Sequence, residues 1–161
     1  MRLVKDLAKR EISRVDWSLL PVMGDRSSSV PTSLIGLLEA RSEDEAEKFY
    51  WKLENVVVVQ GQLFEAAPAT VSVLLAALAE GVSSVVKAHV LELIFQLVAG
   101  ESEEDAVARG NAALGDECRV RAREGIWTLY SELAGEHHRA VRDILARIDQ
   151  DESRLTALGA S

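Results

Sequence analysis

Cysteine, proline and aromatic side chains are all scarce in this 161-residue chain, and each scarcity excludes something. The one cysteine, Cys118, has no partner for an intramolecular disulfide, which fits a reducing compartment. The three prolines stand at 21, 31 and 68, so the whole second half is free of the residue that breaks helices. Aromatic residues make up 5% of the chain, too few for a groove that stacks bases. The longest apolar run, Val73 to Ala79, is far short of the ~18 residues needed to span a bilayer. The opening residues Met1 to Asp6 are charged at once and lack the apolar core of a signal peptide. The expectation is a cytoplasmic protein with no membrane association.

Catalytic signatures are also missing. No HExxH, CxxC, GxSxG, P-loop or GxGxxG pattern occurs, so no enzyme, cofactor or metal site is expected. Positive charge is in deficit, with 18 Lys and Arg against 26 Asp and Glu, a net charge of −8. Residues 1–26 hold six bases and four acids, residues 27–100 four and nine, and residues 101–161 eight and thirteen. An acidic body repels phosphate backbones, so the natural partner is a basic protein and not a nucleic acid.

What remains is helical rhythm. Apolar residues recur at 3.6-type spacing almost throughout. Leu3, Val4, Leu7, Ala8, Ile12 and Val15 form the stripe of a first helix from Arg2 to Val15. A loop from Pro21 to Thr32 separates this arm from the body. A short helix follows Pro31, and Ser42-Glu43-Asp44-Glu45 reads as a capping box opening a longer one. The β-branched run Val56 to Val59 reads as buried helix, kinked near Gly61, because no second strand-like run is available to pair with it. Pro68 opens the next helix and Gly81 closes it. Val82, Val85, Val86, His89, Val90, Leu93, Ile94, Leu97 and Val98 then give the clearest stripe, with Leu91 and Phe95 adding a second apolar side. Such a helix must be sandwiched between neighbours. Ser102 resembles the Ser42 cap and predicts a helix to Ala113. A further helix carries Val120, Ile126, Leu129, Tyr130 and Leu133 to Gly135, and a terminal one carries Val141, Ile144, Leu145 and Ile148.

Residues 91–100 align with 126–135 at an offset of 35, both segments ending in Ala-Gly. A helix pattern at that period suggests stacked helix pairs, although any amphipathic helix ending in Gly aligns in a similar way. The stretch Gln60-Gly61-Gln62-Leu63-Phe64-Glu65-Ala66-Ala67-Pro68-Ala69-Thr70-Val71-Ser72-Val73-Leu74-Leu75, with Tyr50 to Asn55 upstream, resembles bacterial HEAT-like repeat proteins of the PBS-lyase type. The close likeness covers residues 49–99. The resemblance implies an all-α fold of stacked antiparallel helix pairs, an α-solenoid. Residues 1–22 would form an N-terminal helix arm, 31–135 the pairs and 136–158 a C-terminal cap, in a single domain over 1–161. It implies a non-enzymatic binding scaffold, most sharply an immunity protein that occludes the active site of a cognate toxin. The alternative is a regulatory or assembly adaptor that associates with itself. Neither reading fixes the oligomeric state.

The candidate contact residues are Glu43, Asp44, Glu47, Tyr50, Trp51, Glu54 and Trp127. Tyr and Trp are enriched at binding hot spots, and acidic residues steer a basic partner. The plainer readings stay open: acids favour a helix N-terminus, and the aromatics can pack against a neighbouring repeat. Tyr50 and Trp51 are consecutive, so one should face the core and the other solvent. His89 reads as a core histidine with a satisfied hydrogen bond, and adjacent His137 and His138 point ~100° apart on a helix, unable to share a metal. Cys118, beside Arg119 and Arg121, reads as a structural thiol, and Arg119, Arg121 and Arg123 as a solvated, salt-bridged face.

Overall fold

The computed structural model describes residues 6–160. The expected helix start at Arg2 and the stripe positions Leu3 and Val4 lie outside the described residues. Within them the protein is all-α, built from ten α-helices and three strands of two residues each. The helices are α1 (Leu7–Ser13), α2 (Ser29–Leu38), α3 (Glu43–Val57), α4 (Ala67–Glu80), α5 (Ser84–Ala99), α6 (Glu104–Ala108), α7 (Leu114–Arg123), α8 (Ile126–Ser131), α9 (His138–Ile148) and α10 (Glu152–Ala157). The strands are β1 (Val58–Val59), β2 (Gln62–Leu63) and β3 (Glu101–Ser102).

The helices lie in two rows. In one, α4 packs between α1 and α7; in the other, α5 packs between α3 and α9. Contacts of α4 with α5, and of α7 with both α5 and α9, join the rows, while α2 covers the outer side of α3. The amphipathic pattern dictates this placement. In α5, Val86, Val90, Leu91, Leu93, Ile94, Leu97 and Val98 are all fully buried, which needs partners on every side, and α3, α4, α7 and α9 supply them. The N-terminal arm belongs to the same core through Ala8, Ile12, Trp17 and Val22. The Trp17 indole N–H donates to the Ile12 carbonyl at 2.9 Å, and the Glu80 carboxylate accepts from the free Leu7 amide of α1 at 3.0 Å.

Several boundaries differ from the sequence expectation. The loop after Pro21 ends at Ser28, so Pro31 sits inside the first turn of α2, where its missing N–H leaves no bond unmade. The Ser42 hydroxyl accepts from the Glu45 amide at 3.2 Å as a cap should, but Glu45 reaches back to the Arg41 amide at 3.3 Å instead of the cap's own. Ser102 is not a cap of the following helix. It lies in β3, and Glu103 caps α6, whose five residues stop well before Ala113. The Ser102 hydroxyl accepts instead from the Leu114 amide of α7 at 3.0 Å. The long helix expected through Val120 and Ile126 breaks at Glu124–Gly125 into α7 and α8, and ends in a 3₁₀ turn over Glu132–Ala134. Val120, expected on the apolar stripe, is exposed.

The valine tetrad is the clearest correction. Val56 and Val57 finish α3, but Val58 and Val59 form β1, paired antiparallel with β2. The partner was already present in the sequence two residues on. Gln60 at φ 52° and Gly61 at φ 80° both take the left-handed conformation that closes a two-residue hairpin. Strand β3 then pairs parallel to β2, reached by way of α4 and α5. This small clip ties the end of α3, the start of α4 and the end of α5 together, and Gly100 is its tightest point. A Cβ there would stand 2.7 Å from the Gly61 carbonyl oxygen and 2.8 Å from Leu63 Cδ2.

Gly100→Ala is therefore expected to lower the unfolding free energy by about 1–3 kcal/mol in urea titrations. Gly135→Ala serves as the control, since its Cβ would find nothing nearer than 3.4 Å, and should shift stability by less than about 0.5 kcal/mol.

Candidate functional site

Helix α3 carries most of the candidate contact residues, and its capping decides which of them share a face. Ala46, Tyr50, Leu53, Val56 and Val57 form its buried side. Steps of four, three and four residues then bring Glu43, Glu47, Tyr50 and Glu54 onto the flank that meets α5. There Glu43 Oε2 lies 4.0 Å from His89 Nε2, and the Tyr50 and His89 rings meet edge to face at 5.8 Å. Tyr50 is buried and Trp51 is 47% exposed, and the two rings meet nearly perpendicular at 5.2 Å. Glu47, Tyr50, Trp51, Ala88, His89 and Glu92 enclose an open depression of about 260 Å³. Burial, reinforced by the carboxylates of Glu54 and Glu92, raises the Tyr50 hydroxyl above its ordinary pKa, so it stays a neutral phenol. Asp44 is turned ~100° from Glu43 and does not line the depression.

The opposite flank of Trp51 has the opposite charge. A groove of about 470 Å³ between α2 and α3 is lined by Arg26, Ser29, Thr32, Phe49, Trp51 and Lys52, among others. Lys48 and Lys52 both lie over the Phe49 ring, at 5.4 and 5.3 Å from its centroid. Trp51 is thus a ridge between an acidic hollow and a basic one. The Lys48 and Lys52 spacing was open to inspection in the sequence. Arg26 comes from a distant loop and carried no such signal.

Trp127 does not join this group. It sits on α8, which packs on α9 and α4, whereas α3 packs on α2 and α5. Trp127 is 63% exposed, and its indole face carries the Arg154 guanidinium at 5.6 Å. Arg154 in turn forks onto Asp149, with Nε to Oδ2 at 2.8 Å and Nη2 to Oδ1 at 2.6 Å. The Tyr130 hydroxyl donates to the same carboxylate at 2.6 Å. The Asp149 side chain is wholly buried, and the Arg154 and Tyr130 bonds outweigh the burial cost and hold its pKa far below the usual carboxylate range. A second network missed by sequence reading joins Glu65, buried, to Arg109 at 2.7 and 2.9 Å and to Asn111 at 3.0 Å. Both networks join residues that no motif connects.

Of the solvated, salt-bridged face expected for the three arginines of α7, the ion pairing holds for Arg119, which meets Glu101 at 3.2 Å and Asp116 at 2.9 Å, but none of the three is simply solvated. Arg119 donates to the Val98 carbonyl, Arg121 to the Ser72 hydroxyl and Arg123 to the Ile148 carbonyl, so each ties α7 to a different neighbour. The Cys118 thiol is buried, and burial pushes its pKa up to about 12 despite the two flanking arginines. His89 Nδ1 lies 3.1 Å from the Val85 carbonyl, the satisfied arrangement expected. Among the described residues, no three His, Cys, Asp or Glu side chains gather as metal ligands would, and no helix is long and apolar enough to cross a membrane. No known family, curated protein or solved structure matches the chain.

Asp149 makes a pH prediction. A carboxylate whose folded pKa is depressed stabilises the fold above its unfolded pKa of about 3.9, and that contribution disappears as pH falls through the folded value. Arg154→Ala should destabilise the fold at neutral pH, since it leaves the buried Asp149 carboxylate without its cation. In unfolding titrations, the gap between wild type and variant should be constant at neutral pH and close in strong acid.

Proposed function

We propose that the protein is a non-enzymatic protein-binding scaffold of the HEAT-like type, an immunity protein that covers the basic active-site cleft of a toxin. The observation that carries this reading is the ridge of Trp51, an exposed aromatic flanked by the acidic row of Glu43, Glu47 and Glu54 on a helix whose other side is fixed in the core. Two rows of helices held by a common core give a rigid surface, and rigidity spares the entropy a flexible surface loses on binding. A stable grip needs about 800 Å² from each partner. The acidic row acts before contact, raising the encounter rate with a basic partner. Trp51 acts after it, by desolvated contact area. Cover of a cleft requires no chemistry from the inhibitor, which agrees with a buried, protonated Cys118 thiol. One observation favours a self-associating adaptor as the second reading. The oppositely charged hollows on either side of Trp51 can pair with those of a second copy about a two-fold axis.

The test begins with affinity capture from the native lysate, identification of the partner by mass spectrometry, and stopped-flow association with it. Glu43→Lys combined with Glu47→Lys should slow association about tenfold or more at low salt, and the difference should shrink as salt rises. An association rate indifferent to both changes would remove the acidic row from the mechanism. Light scattering that shows dimers across a concentration series would favour the adaptor.

A further inference from the structure

Two tryptophans project from the described surface, and only one of them already holds a cation. At Trp127 the chain supplies its own: the Arg154 guanidinium lies over the indole and is anchored by the Asp149 carboxylate. At Trp51 the same parts are present apart from the cation. The indole is exposed, the Tyr50 ring meets it edge-on, and Glu47 and Glu92 are among the residues that line the hollow. Neither acid is used up. Glu92 accepts one hydrogen bond, at Oε1 from Gln96, and Glu47 has no hydrogen bond or ion pair among the described residues. The nearest lysine along α5, Lys87, is committed elsewhere, bridging to Glu132 at 3.0 Å.

We infer that this hollow is the receptacle for one arginine side chain of the partner protein, its guanidinium lying on the Trp51 indole and forking onto Glu47 and Glu92. This deepens the protein-binding reading above and rests on it. Charge complementarity selects the occupant. The lining residues hold two carboxylates and no lysine or arginine. A volume of about 260 Å³ admits one long side chain and not a folded element. Arginine fits better than lysine because its planar group stacks on an indole while presenting paired donors to a carboxylate. The groove on the far side of Trp51 carries Arg26 and Lys52, so a cation is repelled there.

The full chain can be titrated with a capped Ala-Arg-Ala peptide while the indole N–H signals of Trp17, Trp51 and Trp127 are followed by NMR. The Trp51 signal should shift saturably. Buried Trp17 and arginine-covered Trp127 should stay still. The citrulline peptide should leave all three unmoved, and the lysine peptide should bind several-fold more weakly. Glu47→Gln with Glu92→Gln should weaken the arginine peptide about fivefold or more, with unchanged circular dichroism. A flat titration overturns the proposal, as do equal shifts at Trp127 or equal binding of citrulline. Tighter binding of tetramethylammonium would make the hollow a small-molecule site. A Trp51 signal that moves with protein concentration alone would give the surface to a second copy. Because this titration uses no toxin, its failure is separable from failure of the occlusion reading, which the association kinetics test.

Discussion

The burial of α5 constrains the rest of the molecule. Its valines and leucines emerge on every side, so four helices must close around it, and removing any one would expose a row of side chains to water. The order of the chain then follows with little freedom. Helix α4 precedes it across a short connection and lies alongside; α3 and α9 take the two flanks of its own row; α7 fills the seam between rows. Helix α5 also fixes α3 in rotation, with Tyr50 and Leu53 inward, and this places Trp51 and the glutamates outward as a fixed surface.

Polar groups finish what the apolar core begins. The three arginines of α7 each reach a carbonyl or hydroxyl of another element, so the helix is tied at three points along its length. The short β clip does similar work at one end of the rows. Its hydrogen bonds satisfy backbone groups freed where α3 and α5 stop, at a place where Gly100 allows two backbones to touch. At the other end of the chain, Asp149 is buried as an ion because Arg154, Tyr130 and the Asp151 amide together replace the water it loses. These three devices turn a hydrophobic stack into a surface with one shape, the condition for recognising a partner.

Charge on that surface is local and not uniform. The net charge of −8 leads one to expect a broadly acidic face. Around Trp51 the acids instead gather on the α5 side, while Lys52 and Arg26 line the groove on the α2 side and Lys48 lies over the Phe49 ring. On the proposed reading, an exposed ring between two opposite fields would discriminate orientation as well as charge, because a bipolar segment reversed end to end would meet repulsion on both sides.

The sequence by itself determined what depends on neighbours within one or two turns. Legible at that range were the helical class, the Ser42 cap, the helix start near Pro68 and its stop at Gly81, the sandwiching of α5, and that Tyr50 and Trp51 point apart, though not which of them is buried. Spacing along a helix is enough for all of these. It did not reveal what depends on groups brought together from afar. The strand at Val58–Val59 was hidden because its partner is a hairpin arm of only two residues, which is itself held on its other edge by a segment some forty residues away. The split of α7 from α8 followed from packing at Gly125, where a side chain would crowd Leu75. The separation of Trp127 from the α3 group, the basic flank of Trp51 and the buried Asp149 network were likewise decided in three dimensions. Periodicity assigns a residue to a face; only packing decides what that face meets.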